Sequence, residues 1–348
     1  MNRVTRNYCG TAPDGEDIYQ FTMQNAKGTE AVITNYGATI MGFKVKNADG
    51  TTNDIVLGFE KTEDYQHPAY LAAYPWFGCA IGRYANRIGN ASFLLNGQRI
   101  QLETNQKNNT LHGGYRGFDK KIWQTISYGH NHTAYVELKL ISPDGDSGFP
   151  GNLETSIRFE LNDDNELSYS FHSTTDQLTA LNLTHHSYFN LDNGKGTILD
   201  HEIKICSEYT LEQDQELVAT GNYSPVKETA FDFKNFHSIG GRMDEVGEYD
   251  KSYLIKEKSA LPSLVAEARS SESGLTLQVY STEPVVHFYS GKWIPEITGK
   301  NGNPYGTFSG FCLETHMHPN AVNIPAFPGT LLMPGKEYYQ KTIYKVLS

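Results

Sequence analysis

Four short segments set charged and imidazole side chains into otherwise apolar, strand-like sequence. They are Gly82-Arg83-Tyr84-Ala85-Asn86-Arg87-Ile88, Asn109-Thr110-Leu111-His112-Gly113-Gly114, the stretch from Asn182 to Asn190, and Phe311-Cys312-Leu313-Glu314-Thr315-His316. Glu248-Tyr249-Asp250 lies between the last two. A charge in such a setting is costly unless it is paired or hydrogen-bonded. Glu314 follows an apolar run and is expected to be drawn into a cleft, where burial raises a carboxyl pKa and suits it to act as a base. A lone strand glutamate faces solvent more often than it serves catalysis. His185 and His186 offer an acid or a metal ligand, but neighbours on a strand point to opposite faces, so at most one enters a shared pocket. His316 and His318 fall on one face of an extended segment, a zinc-like spacing with no third ligand at motif distance. Arg83 and Arg87 share a face if 82–88 is extended, so distinct roles would require a bend.

The elements that must position these groups read as strands. Leu153, Thr155, Ile157, Phe159 and Leu161 alternate with polar residues. After the turn Asn162-Asp163-Asp164-Asn165, Leu167, Tyr169 and Phe171 do the same, which predicts a hairpin of two half-buried strands. The pattern recurs at Val136-Leu140 and Leu275-Tyr280. The clearest helical signal is a short one at 238–246. There is no strand–helix alternation, no GxGxxG and no P-loop. Many short strands with glycine punctuation argue for an all-β sandwich or barrel. No linker or internal repeat divides the chain, so 1–348 reads as one domain.

Composition narrows the function classes. The 348 residues carry a formal charge of −11, a poor match for nucleic acid or an anionic membrane. No run of apolar residues is long enough to span a bilayer. Cys9, Cys79, Cys206 and Cys312 are scattered without a CxxC pair, and no signal peptide is visible at the N-terminus. Together these predict reduced thiols and a cytoplasmic protein.

Taken in order, the segments resemble the aldose 1-epimerase (galactose mutarotase) family. The resemblance begins at Ile33-Thr34-Asn35-Tyr36-Gly37-Ala38 and Val56-Leu57-Gly58-Phe59, and runs through the four segments above and Gly148-Phe149-Pro150-Gly151. It ends at Thr282-Glu283-Pro284, Phe288-Tyr289-Ser290-Gly291 and Met333-Pro334-Gly335. It implies a single large antiparallel β-sandwich of the galactose mutarotase-like supersandwich type. It implies Glu314 as general base, His186 as general acid, and Asn86, Arg87, His112, Asp250 and His287 as the sugar-holding set. It implies a free aldohexose as substrate, no cofactor, no metal, and a monomer or weak homodimer. The family usually has Asn at His185, Gln at His287 and His316, and Asp at Asn320, so the shell around an intact acid–base pair is altered.

The chemistry so implied is ring opening at the anomeric carbon. A carboxylate takes the C1 hydroxyl proton while an imidazolium, expected on the opposite side of the sugar, protonates the ring oxygen. The charges of Glu314 and Asp250 are expected to favour that imidazolium. The open aldehyde rotates about C1–C2 and closes to the other anomer. Three alternatives stay open on the sequence: a non-catalytic sugar-binding module, an epimerase of a hexose phosphate, which would need a cationic clamp, and a polysaccharide lyase or hydrolase.

Overall fold

The computed structural model describes residues 2–12, 15–46, 50–255 and 257–348. The two alternating runs form the strands Leu153–Leu161 and Glu166–Thr175, paired antiparallel from Leu153↔Thr175 to Leu161↔Leu167. Asn165 turns the corner between them with φ of 57°, a conformation asparagine tolerates better than most residues. Leu153, Thr155, Ile157, Phe159 and Leu161 are buried and their alternates are not, as a two-residue period requires.

Among the described residues this hairpin lies within a sheet of nine strands. Their order is Gln124–His130, Ala134–Ser142, Leu153–Leu161, Glu166–Thr175, Tyr338–Leu347, Thr276–Ser281, Ser263–Arg269, Glu202–Ile205 and His237–Ser238. A second sheet has six strands in the order Tyr188–Phe189, Phe311–His316, Val285–Tyr289, Asp250–Leu254, Tyr209–Gln213 and Ala219–Pro225. A third, of five strands, runs from Arg3–Thr11 to Thr52–Asp54 in sequence order. All three are antiparallel. The expected β-sandwich is therefore present. The helical signal at 238–246 is a 3₁₀ turn at Gly240–Arg242 followed by one helical turn at Met243–Val246. A second short helix, Pro68–Ala73, has Pro68 at its first position and the His67 side chain accepting from the Ala69 N–H.

The main core joins the sheets. Ile157, Phe159, Tyr169, Phe171, Leu277 and Tyr344 of the large sheet pack in one cluster with Val286, Phe288, Phe311, Leu313 and Tyr253 of the six-stranded sheet. Gln340 and Thr342 on the large sheet bond to the carbonyl and hydroxyl of Thr315, tying the layers by polar contacts as well. One face of the six-stranded sheet is thereby committed to the core. Its other face is free to carry polar groups, and loops close over it.

Candidate active site

The register of the six-stranded sheet sets the pocket. Leu313, Phe288 and Tyr253 point into the core, so their neighbours along each strand point the other way. Cys312 pairs with Tyr289 and Tyr289 with Asp250; Glu314 pairs with His287 and His287 with Ser252. Two rows of side chains thus run across three strands on one face. Over this face close the loops that bear Trp76, Arg87, His112 and His186, leaving a cavity of about 210 Å³. Asn86, Arg87, His112, His186, Asp250, His287 and Glu314, all seven residues singled out from the sequence, line it.

His186 and Glu314 are neighbours. His186 Nε2 lies 3.5 Å from Glu314 Oε1, and both side chains are nearly inaccessible. The expected placement on opposite sides of a sugar is thus corrected to adjoining positions in the cavity. Burial dominates the electrostatics of both. It pushes the Glu314 carboxyl up to about 7, with Asp250 adding to the rise and His287 and Arg87 opposing it. It pushes the His186 imidazole down to about 3. The expectation that nearby carboxylates would hold His186 charged is overturned, because desolvation outweighs the attraction of Asp250. In the unliganded pocket the one proton of this pair therefore rests on Glu314 below about pH 7.

The imidazoles are oriented by their outer nitrogens. The Asn86 backbone N–H donates to His112 Nδ1 at 3.2 Å, which leaves the proton of the neutral ring on Nε2. Burial and the surrounding cations hold His112 well below the usual histidine range. Cys312 Sγ sits 3.5 Å from His186 Nδ1. Burial pushes that thiol well up, so it remains S–H, and its sulfur can accept from Nδ1–H, which leaves the Nε2 lone pair facing the protonated Glu314. His112, His186 and Glu314 bring potential ligand atoms within 4.8 Å of one another. His112, whose Nδ1 accepts from the backbone, presents an N–H donor and not a lone pair to the pocket. That set suits oxygen atoms of a polyol better than a metal ion.

Asp250 is held as an anion. Burial favours its acid form, but His287, Arg87 and Lys251 outweigh this and lower its pKa. Arg87 Nε donates to Gln106 Oε1 at 2.7 Å, and the Arg87 N–H to Asn86 Oδ1 at 2.8 Å. Arg83 plays a structural part instead, its guanidinium bonding Ser142 Oγ and the carbonyls of Ser142, Pro143 and Pro150. The bend that separates the two arginines is at Asn86, with φ of 60°. Gly113, φ 86°, passes so close to Gly82 that any Cβ there would overlap the Gly82 carbonyl.

His185 faces the core. Its Nε2–H donates to Ala38 O at 3.2 Å, its Nδ1 meets Ser187 Oγ, and its ring packs on Phe159 and Tyr169. The His316/His318 spacing does not make a site. The strand ends at His316, whose Nδ1–H donates to Met317 O, while His318 lies against Phe327 with Nε2 near Tyr223 Oη. Asn320 ties loops together, donating to Ala219 O and accepting from the Gly89 N–H. An aspartate could not do the first.

Sequence reasoning passed over Trp76, Gln106, Tyr188, Tyr289 and Trp293, all of which line the cavity. The Trp76 ring stacks on His186 at 6.0 Å and meets His112 at 4.9 Å. The run Tyr74-Pro75-Trp76-Phe77 was the available signal: aromatic residues around a proline, without strand or helix period.

A sequence profile of the aldose 1-epimerase family matches residues 19–345. The chain is 38% identical to galactose mutarotase of Rattus norvegicus over 351 aligned positions, covering 99% of each protein. It is 32% identical to aldose 1-epimerase of Escherichia coli K12, with 97% of each covered. Among solved structures it matches an aldose epimerase homologue from C. elegans with TM-score 0.85, 27% identity and 99% of each chain covered. In fold it also matches galactose 1-epimerase of Lactobacillus acidophilus, TM-score 0.84 at 24% identity and 99% of each chain.

Proposed function

The chain belongs to the aldose 1-epimerase family, and from that premise we propose that Glu314 and His186 are the acid–base pair with which it interconverts the α and β anomers of a free hexose. It is an isomerase, a mutarotase of aldoses. The observation that supports the pair is the separation of His186 Nε2 and Glu314 Oε1, 3.5 Å in a buried cavity. The two oxygens that exchange protons in ring opening, the C1 hydroxyl and the ring oxygen, are both bonded to C1. An acid and a base serving them must be close neighbours.

Ring opening uses the tautomer Glu314 carboxylate with His186 imidazolium. Glu314 takes the C1 hydroxyl proton as Nε2–H of His186 is given to the ring oxygen. The open aldehyde is then bound by Glu314 acid and neutral His186. Rotation about C1–C2 presents the other carbonyl face, and the reverse transfers close the ring. Each positioned proton transfer typically contributes about 10²–10⁴-fold. Arg87 and His112 Nε2–H donate to sugar oxygens, the Asn86 amide NH₂ donates to a further hydroxyl, and the Asp250 carboxylate accepts. Trp76, Tyr188, Tyr289 and Trp293 supply apolar faces for the C–H side of the ring. Arg87 brings the lining its guanidinium, and no lysine lines the cavity among the described residues. That disfavours a phosphorylated sugar, whose dianion calls for a clamp of several cations. Retention of both proton-transfer groups disfavours a purely binding module. The deciding experiment is polarimetry on freshly dissolved α-D-galactose and α-D-glucose with wild type and Glu314→Gln. The wild type should accelerate the drift in rotation, and the variant should lose nearly all of that acceleration.

A further inference from the structure

His287 is the residue toward which the cavity's polar groups converge. On its own strand it is flanked by Tyr289; from the strand Phe311–His316 it faces Glu314, directly opposite in register, and His316; from Asp250–Leu254 it faces Ser252 and Asp250. Arg87, His112 and His186 face the same space from the covering loops. Both ring nitrogens are engaged by protein. Nδ1 lies 2.9 Å from Ser252 Oγ, and Nε2 lies 2.8 Å from Asp250 Oδ1. Ser252 is 1% exposed and does not line the cavity. Its hydroxyl can donate to Nδ1 of a neutral ring or accept from Nδ1–H of a charged one. The socket therefore fits either protonation state without leaving a buried nitrogen unpaired. Both ring nitrogens thus have a protein oxygen nearer than 3 Å before any sugar binds.

We propose that His287 is a positioning residue and not a sugar contact: held between Ser252 and Asp250, it fixes the Asp250 carboxylate against the cavity and stands beside Glu314 from the adjacent strand. This rests on the reading of Glu314 as the base. With one oxygen of Asp250 anchored by the ring, the other is aimed at the sugar. His287 is also the first of the influences that oppose the burial of the Glu314 carboxylate. A glutamine at 287 could still donate to Asp250 but would carry no charge toward Glu314. Cross-strand neighbours sit close enough for opposite charges to move a carboxyl by about one pH unit or more.

The test compares wild type, His287→Gln, Ser252→Ala and Ser252→Thr. Two quantities are read: the pH dependence of kcat/KM for α-galactose, and the titration of the Glu314 carboxyl by ¹³C NMR in sugar-free protein, assigned by its loss in Glu314→Gln. In His287→Gln both the alkaline limb and the carboxyl titration should move up by about one pH unit. Ser252→Ala takes away the partner of Nδ1, loosens the ring beside Glu314, and should move both in the same direction by less. Ser252→Thr, which keeps the hydroxyl, should restore the wild-type values. A merely structural serine would move neither. If His287→Gln raises KM severalfold while limb and carboxyl stay put, His287 is a sugar contact and the proposal is wrong. If the carboxyl moves as expected but Glu314→Gln remains active, the base has been misassigned while the role of His287 stands.

Discussion

Replacing Glu314 by glutamine should destroy activity and stabilise the fold, and the two effects should separate with pH. Burial lifts this carboxyl from 4.5 to about 7. At about 1.4 kcal/mol per pH unit, the buried carboxylate then costs the fold about 3 kcal/mol, an upper value, once it is fully ionised. The folded-state pKa is raised above the unfolded one. The penalty is therefore absent below pH 4.5, grows between 4.5 and about 7, and is complete above. Glutamine keeps the shape and carries no charge, so it escapes the penalty. It also cannot accept the C1 proton, which removes about 10²–10⁴-fold of rate.

Urea denaturation of wild type and Glu314→Gln at pH 5 and pH 8 measures the first effect, and polarimetric initial rates on α-galactose measure the second. The variant should be within about 1 kcal/mol of wild type at pH 5 and more stable at pH 8, by up to about 3 kcal/mol. Groups that do not interact with Glu314 also titrate over this range, but they do so in both proteins and cancel in the difference. Should the variant be the less stable of the two at pH 8, the carboxylate is stabilised by its neighbours and not strained by burial. A retained activity above about a tenth of wild type is incompatible with a general base at this position.

His186→Asn should lose about 10²–10⁴-fold in kcat, whereas His185→Asn, which alters a core-facing ring, should keep its rate; the reverse outcome in initial-rate assays would shift the acid by one residue. The profile of kcat/KM, which reports the free enzyme, should hold a plateau below about pH 7 and fall above it as the Glu314–His186 pair loses its single proton; an activity that rises through pH 7 would refute this proton inventory. Cys312→Ala removes the hydrogen bond that orients His186 and should lower kcat about fivefold with little change in KM; equal rates would show that Nδ1 has another partner. EDTA should leave the rate unchanged, and a loss restored by zinc would mean that His112, His186 and Glu314 hold a metal after all.

What could be read from the sequence follows the physics of each element. The hairpin 153–161/166–175 was legible because hydrophobicity alternates along both strands: 153–161 is buried on one face only, and in 166–175 the covered alternates Ser168 and Ser170 are still polar. The strand Phe311–His316 is buried on both faces. Its alternation is of another kind, Phe311 and Leu313 toward the core and Cys312, Glu314 and His316 on the opposite face, where Glu314 lines the cavity, and hydrophobicity alone does not report it. Glu314 stood out only as a charge in an apolar run. The separate roles of Arg83 and Arg87 hinged on a bend at Asn86 that no periodicity announces. The neighbour relations that make the site, Glu314 beside His287 and Asp250 beside Tyr289, depend on register between strands far apart in sequence. Nor could sequence rank desolvation against charge at His186, because burial is a property of the closed loops.

That ranking explains how a pocket can work with an acid that is neutral at rest. A histidine held at about 3 beside a carboxyl held at about 7 keeps one proton in the pair over the whole interval between those values, and keeps it on Glu314. This is the proton arrangement that accompanies the open-chain sugar, in which Glu314 has taken the anomeric proton and His186 has given its own away. The ring-opening arrangement differs by one transfer across 3.5 Å and has the same total charge, so no exchange with solvent is needed to reach it. A bound sugar favours it locally, since its C1 hydroxyl donates to the carboxylate and its ring oxygen accepts from the imidazolium. A pair tuned for strong acid and strong base in the empty site would instead hold two separated charges in a desolvated cavity, at the cost that burial imposes on each. The apolar ring faces of Trp76 and Tyr188 around His186 therefore act on the chemistry by making the resting state neutral and leaving to the substrate the hydrogen bonds that support the charged one.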